Sequence, residues 1–229
     1  KGDTGAAGAK GDTGAAGAAG SGGSGGGASA PIATGSNCIA AKCTYKVGDT
    51  GPGGGIIFFV DYNDEYASVN YLEAAPVGWG NGITVNQGGL TGETTGTSTL
   101  DPVMSWCSDS TAAIPTGPLT WRVGTGASNT AAAKAVCTGG AIKAATDYAG
   151  GGKTDWYLPS TREAELMMSA VVNAGVDLGN ESDDFAVWTS TEYSRAVWGN
   201  HYAWYVGIYA PATAAIIGPY YSVRPIRSF

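Results

Sequence analysis

The sequence predicts an α+β fold, and three features of residues 45–229 carry that prediction. Short apolar runs bounded by glycine are typical of strands, one well-capped stretch is typical of a helix, and several strand-like stretches follow that helix. Helices and strands that occupy separate parts of a chain indicate an α+β arrangement. The seven Trp, twelve Tyr and four Phe of the chain supply enough apolar surface for one buried core.

Two strands are predicted in the first half of this region. The run "GGGIIFFVD" at 53–61 is short, apolar and opened by glycines, as in a buried strand. The stretch "YLEAAPV" at 71–77 predicts a second strand. Residues 80–101 are rich in Gly, Thr and Asn, so they predict a long surface loop.

Helices are predicted in the middle of the region. Alanine-rich stretches at 128–136 and 141–149 predict two short helices. The clearest helix covers 160–175, because Ser160 can cap its first turn, Glu163 completes a capping box, and a glycine ends it. Three strand-like stretches follow, at 185–193, 201–209 and 220–229.

The first twenty residues have a different character from the rest. Glycine occupies every third position from Gly2 to Gly20, the pattern that lets three polyproline-II-like chains wind together. We therefore expect a homotrimer with a collagen-like stalk over 1–20, a flexible Gly/Ser linker and neck over 21–44, and a head over 45–229. The alternative interpretation of the repeat is a disordered Gly/Ala linker.

Charge and hydropathy exclude two classes of partner. The net charge of −7 opposes binding to DNA or RNA, because phosphate contacts depend on Lys and Arg. No run of eighteen apolar residues occurs, so we expect no membrane insertion by this fragment.

The four cysteines, Cys38, Cys43, Cys107 and Cys137, indicate an oxidising, extracellular setting, since an even number accompanies a collagen-like segment. We expect Cys107 to pair with Cys137 inside the head. Cys38 and Cys43 either close a small local loop or cross-link neighbouring chains below the stalk.

Two oxygen-rich stretches are candidates for Ca²⁺. They are "DYNDE" at 61–65, with Asp61, Asn63, Asp64 and Glu65 as the candidate ligands, and "NESDD" at 180–184. Neither has the spacing of an EF-hand loop. The alternative interpretation of both is an acidic surface turn.

The stretch "YSRAVWGNHYAWY" at 193–205 is the candidate ligand-binding segment. Its aromatic residues could stack on sugar rings while its polar side chains form hydrogen bonds. The alternative is that the aromatics pack into the core or against a partner subunit, and for Trp204 we expect the core. The candidate ligand-binding residues are Arg195, Trp198, Asn200, His201 and Tyr202.

No segment predicts catalysis or nucleotide binding. The run "GGGKT" at 150–154 resembles a phosphate-binding loop, but the glycine required six residues before the lysine is Asp147. The glycine-rich run "GDTGPGGG" at 48–55 contains no phosphate-binding lysine. The single histidine, His201, lies in an aromatic segment with no nucleophile pattern around it.

Several motifs occur together in one order. They are "YKVGDTGPGGGIIFFVD", "LEAAP", "VGTGASNT", "DWYLPSTREAEL", "WTSTEY" and the ending "VRPIRSF". In this combination the head resembles the C-terminal domain of the Legionella collagen-like adhesin family, which also follows a collagen-like stalk. The resemblance covers about 45–229.

The resemblance implies a C-type-lectin-like fold, related to formylglycine-generating enzymes, in a secreted homotrimer. It implies attachment to a surface polysaccharide or glycoprotein receptor at the bacterial cell surface. The enzyme branch of that fold needs a redox cysteine pair near the substrate groove, and the C-terminal strands contain no cysteine, so we expect no enzyme activity. A phage tail-fibre tip and a purely structural trimerisation knob are the alternatives.

The residues of these motifs are interpreted as structural. Trp156, Leu158 and Trp188 are predicted core residues, and Asp155 is placed to accept backbone N–H bonds near the long helix. We expect the C-terminal arginines to form ion pairs, with Arg224 and Arg227 as the cations and Glu163, Glu165 or Glu192 as the partners.

Overall fold

A computed structural model of the chain describes residues 43–81, 83, 94–108, 120–179, 185–197, 200–216 and 221–229, with the backbone alone for 194–197, 200, 201 and 216. The predicted stalk lies outside the described residues. The described part contains strands and helices in separate blocks, as expected for α+β. The strands are β1 (Ile56–Val60), β2 (Tyr71–Ala74), β3 (Val103–Met104), β4 (Ala186–Val197), β5 (Asn200–Gly207), β6 (Thr213–Ile216), β7 (Tyr221–Ser222) and β8 (Ile226–Ser228). The helices are α1 (Gly126–Lys134), α2 (Gly140–Asp147), α3 (Thr161–Ala174) and a short 3-10 helix (Gly150–Gly152).

The strands form two sheets. The smaller sheet is antiparallel, in the order β1-β2-β8, so the last strand of the chain pairs with an early one. The larger sheet has the order β3-β7-β4-β5-β6 and is antiparallel except where β4 and β7 run parallel. The mixed α+β prediction is therefore confirmed.

The long helix begins and ends at the predicted residues. The Ser160 Oγ accepts a hydrogen bond from the Glu163 backbone N–H, and the Glu163 carboxylate accepts one from the Ser160 N–H at 2.7 Å. Gly175 adopts the left-handed conformation at φ 64° and closes the C-terminus. A capping box and a C-terminal glycine are local signals, which is why the sequence alone locates both ends.

The C-terminal stretch differs from the single strand expected over 220–229. It divides into β7 and β8, which belong to different sheets. Pro225 separates them, since a proline has no N–H to donate to a ladder. The Pro225 carbonyl instead accepts a bond from the Ala75 N–H at 2.8 Å.

Two apolar clusters make up most of the core, one on each face of the larger sheet. One face packs Trp188 and Ala203 against the alanines of α1 and α2, and this cluster includes Leu158 and Trp156. The other face packs Val187 and Val206 against α3 and the smaller sheet. Trp188 and Leu158 are fully buried and Trp156 is nearly so, which confirms the predicted core residues.

The predicted disulfide between Cys107 and Cys137 is present, with its Cα atoms 5.1 Å apart. It joins the segment after β3 to the segment between α1 and α2, and both cysteines are buried in the core. Cys43 is also disulfide-bonded, and Cys38 lies outside the described residues. No helix in the described part of the chain is long and apolar enough to cross a bilayer.

Candidate functional site

The antiparallel ribbon of β4 and β5 presents an aromatic surface on one of its faces. Tyr193 lies directly opposite Tyr202 in the ladder, so the two side chains share a face. Trp204 follows Tyr202 by two residues and therefore points to the same side. We call Tyr193, Tyr202 and Trp204 the aromatic surface.

The Tyr193 ring is in edge contact with each of the other two rings and is stacked on neither. The Tyr193 and Tyr202 ring centroids are 6.3 Å apart with an interplanar angle of 66°. The Tyr193 and Trp204 centroids are 5.6 Å apart with an angle of 68°. Edge-to-face pairs of this kind stabilise one another and restrict ring motion. All three side chains are half-buried, so part of each ring stays accessible to solvent.

The face of the ribbon that carries these rings is not buried to the same degree along its length. On the same face of the ribbon, Val206 and its ladder partner Val187 are buried beneath α3. Towards Trp204 the cover is incomplete, and the β6 residue paired with Trp204 is Ala214, whose small side chain gives little shielding. Trp204 was expected in the core, and this expectation is wrong, because Trp204 is half-buried and is not among the buried core residues.

The other predicted ligand residues lie on the same two strands where they are described. Arg195 is in β4, and Asn200 and His201 are in β5; only the backbone is described for these three. Trp198 lies outside the described residues. Tyr202 is the one predicted ligand residue whose side chain is described, and it belongs to the aromatic surface.

A second group of aromatic side chains packs on the opposite face of the ribbon. Tyr205 and Tyr221 stack with centroids 3.9 Å apart and an interplanar angle of 15°. Trp188 meets the Tyr221 ring edge-on at 4.8 Å. Burial and a hydrogen bond to Tyr205 hold the pKa of the Tyr221 hydroxyl well above its ordinary value. These contacts attach the ribbon to the core on the face opposite the aromatic surface.

The motif "WTSTEY" supplies the polar part of this support. The Thr189 hydroxyl donates a hydrogen bond to the Trp204 carbonyl at 2.9 Å, and the Thr189 carbonyl accepts one from the Trp106 indole N–H at 2.6 Å. The Thr191 hydroxyl oxygen accepts a bond from the Thr161 N–H at the start of α3. The backbone of Trp204 is therefore linked through Thr189 to a buried tryptophan, which gives the aromatic surface a rigid base.

The predicted calcium ligands are not gathered around one point. Asp61 is 2% exposed, and its two carboxylate oxygens accept bonds from the backbone N–H groups of Glu65 at 3.0 Å and Tyr66 at 2.8 Å. Asn63 donates to the Glu65 carboxylate, and Asp64 has φ 54°. The Asp61 carboxylate thus closes its own loop. Among the described residues, no group of three or more His, Cys, Asp or Glu is placed to hold a metal ion, and 180–184 lie outside them.

The glycine-rich run at 48–55 surrounds a carboxylate of the protein itself. Glu73 is fully buried, and its Oε1 accepts bonds from the N–H groups of Gly53 at 2.9 Å and Gly55 at 2.7 Å. A Cβ added at Gly53 would lie 2.6 Å from Trp156, so only glycine fits there. These backbone donors bind an internal anion, which sequence reasoning did not anticipate because Glu73 is distant in the chain.

The predicted partners of the C-terminal arginines are wrong. The Arg227 Nη1 bonds the buried Glu73 at 3.0 Å, and its Nε and Nη2 form a two-pronged pair with Asp155 at 2.9 and 2.8 Å. The two bonds from Arg227 lower the pKa of the Asp155 carboxyl. The β2–β8 pairing explains the choice, since Glu73 and Arg227 are opposite each other in that ladder.

Arg224 pairs with Asp101 in the core, where both side chains are 1% exposed. The Arg224 Nε bonds Asp101 at 2.8 Å, and its Nη atoms donate to the carbonyls of Ala75 and Leu178. The Trp79 indole donates to the other Asp101 oxygen at 3.0 Å. Burial raises the pKa of Asp101, and the Arg224 charge opposes that rise. The two arginines of the motif "VRPIRSF" therefore attach the C-terminal residues to the rest of the fold.

Comparison with known proteins found no matching family model, no matching curated relative and no matching solved structure.

Proposed function

We propose that this chain is the binding head of a trimeric extracellular adhesin that attaches to surface glycans through the aromatic surface. The observation that supports this most directly is the group of three half-buried rings, Tyr193, Tyr202 and Trp204, on a ribbon braced by the core beneath it. Aromatic side chains that are held rigidly and left partly exposed bind partners with little loss of conformational entropy.

The chemistry of the surface suits sugars. A pyranose ring has one face of C–H groups, which packs on an aromatic ring, and hydroxyl groups at its edge, which need polar partners. The Tyr193 and Tyr202 hydroxyls provide both donor and acceptor capacity beside the Trp204 indole. Because the rings are inclined at 66° and 68°, each ring can serve a different sugar unit rather than one flat face.

Trimer formation and an extracellular location are supported by other features. The Gly-X-Y phasing of 1–20 favours a three-chain stalk, which would hold three heads together. Linked heads bind repetitive surfaces with an avidity well above the affinity of one site. The disulfide between Cys107 and Cys137 fits an oxidising compartment.

The same surface also supports a second candidate function. Tyr and Trp are enriched at subunit contacts, so the three rings could instead lie between heads, as in a trimerisation knob that binds no ligand. A phage tail-fibre tip would use the rings as an adhesin does, on a receptor glycan.

A glycan array probed with the full trimeric chain, with and without a chelator, tests the proposal. We expect binding that survives the chelator, is lost in Trp204→Ala, and persists in Trp121→Ala. Trp121 is the control, because it is an exposed tryptophan (59%) that precedes α1 in the chain and belongs to neither strand of the ribbon.

Absence of binding by the intact trimer would contradict the adhesin proposal. Sedimentation of the Trp204→Ala variant then separates the alternatives. Dissociation into monomers would assign the aromatic surface to a subunit contact, as the knob requires, whereas an unchanged trimer excludes that role. Loss of binding on chelation would replace the aromatic mechanism with a metal-assisted one.

A further inference from the structure

A groove of about 240 Å³ lies between the exposed side of α3 and the end of β5, and none of the residues of the aromatic surface lines it. Its apolar lining comes from both elements, with Met168 from the helix and Val206 and Ile208 from the strand and the residue after it. These three side chains are buried, at 3%, 2% and 7% exposure. The groove therefore has an apolar floor that is part of the core.

Three polar side chains of α3 line the same groove. Glu165, Ser169 and Asn173 are four residues apart, so they lie along one side of the helix. The Asn173 amide donates to the Ser169 Oγ at 2.9 Å, and the pair keeps further donor and acceptor capacity. One Glu165 oxygen bonds Arg162 at 2.7 Å, which orients the carboxylate at the end of the row.

The strand side supplies space. Gly207 and Ala210 line the groove with minimal side chains. Tyr209 lies in the chain between two lining residues, Ile208 and Ala210, and is 71% exposed. Tyr209 itself does not line the groove, so the strand side leaves the row of carboxylate, hydroxyl and amide groups open to a ligand.

We propose that this groove is a second carbohydrate subsite, which takes one neutral hexose ring. A hexose matches it in kind: its C–H face meets the Val172 side chain, which lines the groove and is 48% exposed, and its hydroxyls donate to Glu165 and exchange hydrogen bonds with Ser169 and Asn173. The volume is below the ~300–1,000 Å³ of common small-molecule pockets, which fits a single ring rather than an oligosaccharide.

Charge selects a neutral sugar over an acidic one. Among the described residues that line the groove, Glu165 alone has an ionisable side chain, and the whole chain carries a net charge of −7. Arg162 compensates part of the Glu165 charge, so the repulsion of an anionic sugar comes from the remaining charge of Glu165 and from the acidic chain as a whole. The subsite rests on the proposed function for its ligand class, but it uses none of the residues of the aromatic surface.

Saturation-transfer NMR with methyl glucoside on the full chain tests the subsite. The Trp204→Ala background is used so that the aromatic surface does not contribute to the signal. We expect saturation transfer to persist in Trp204→Ala, and the affinity to fall at least tenfold when Asn173→Ala or Ser169→Ala is added. Alanine favours the helix at both exposed positions, so the fold is maintained.

Glucuronic acid is the anionic comparator, and it should bind at least tenfold more weakly than methyl glucoside. The subsite is overturned if Trp204→Ala alone abolishes transfer, if Asn173→Ala and Ser169→Ala leave it unchanged, or if glucuronic acid binds equally well. Failure of the proposed function has a different signature, because it is read from array binding that does not depend on Trp204.

Discussion

Tyr193 and Trp204 meet edge to face across the β4–β5 ribbon, with ring centroids 5.6 Å apart, while both remain half-buried. Two residues further along β5, Val206 is buried beneath α3. The same face of β5 is therefore buried at Val206 and partly accessible at Trp204. The accessible part of this face is where we place ligand binding.

Loss of the Arg224 charge should strongly destabilise the head. Arg224→Met removes the cation and leaves the buried Asp101 carboxylate without its partner, so we expect the free energy of unfolding to fall by about 3–5 kcal/mol. Chemical denaturation at neutral pH measures this change.

A second substitution separates charge from packing at this pair. In Arg224→Met with Asp101→Asn, no uncompensated charge is buried, so part of the stability should return. The charge explanation is wrong if Asp101→Asn lowers the free energy of unfolding of the Arg224→Met variant by as much as it lowers that of the natural sequence.

A methyl group at Gly53 should destabilise the glycine-rich loop. In Gly53→Ala the new Cβ would lie 2.6 Å from the Trp156 ring and 3.0 Å from a Glu73 oxygen, so the loop or the ring must move. We expect a loss of about 1–3 kcal/mol, as for other overpacked sites. Thermal unfolding compares it with Gly54→Ala.

Gly54→Ala is the control, because alanine at this position should destabilise the loop for a different reason. A Cβ there has nothing within 4 Å, but φ is +77°, so alanine is strained by the backbone alone. Only Gly53→Ala should perturb the fluorescence of Trp156. Equal spectral changes in both variants would contradict the packing explanation.

The Asp155–Arg227 pair should add stability that depends on pH. Arg227 lowers the pKa of the Asp155 carboxyl, so the folded state favours the ionised form. This contribution is complete above the ordinary aspartate pKa of ~3.9 and is lost as the pH falls through the lower folded-state value. Since the Asp155 side chain is 52% exposed, the effect at pH 7 should be at most about 1 kcal/mol.

The variant Asp155→Asn provides the measurement. Its unfolding free energy should be lower than that of the natural sequence at pH 7, and the difference should shrink as the pH falls below 4. A difference that stays constant between pH 7 and pH 3 would show that the pair acts through packing, not through charge.

The parts of the fold that the sequence predicted depend on neighbouring residues. The ends of α3 follow from Ser160, Glu163 and Gly175, which act within one turn of the helix. Strands β3 and β6 were missed because they are two and four residues long and have no clear apolar alternation. They are strands only because β7 and β5 pair with them.

The ion pairs could not be predicted because their partners are distant in the chain. Arg224 and Asp101 are 123 residues apart, and Arg227 and Glu73 are 154 apart. Glu163, one of the predicted partners, forms its hydrogen bonds with other groups. Glu163 accepts backbone bonds from Gly124 at 2.8 Å and Ser160 at 2.7 Å.

The candidate site was predicted in part. The aromatic segment at 193–205 was identified from composition, and Tyr202 lies in the aromatic surface. Trp204 was assigned to the core, since strand alternation shows which side chains share a face but not how much of that face the rest of the fold covers. The groove of Glu165, Ser169 and Asn173 was not anticipated, because its other side comes from the end of β5.

The most direct test of the central claim is the affinity of the best-bound array glycan for three variants of the full trimeric chain, measured by calorimetry. We predict that Trp204→Ala loses at least tenfold, Trp204→Phe retains most of the affinity, and Trp121→Ala is unchanged. This result would assign binding to a ring on the β4–β5 ribbon. Equal affinities for Trp204→Ala and the natural sequence, with the trimer intact, would contradict the claim that the aromatic surface binds the glycan.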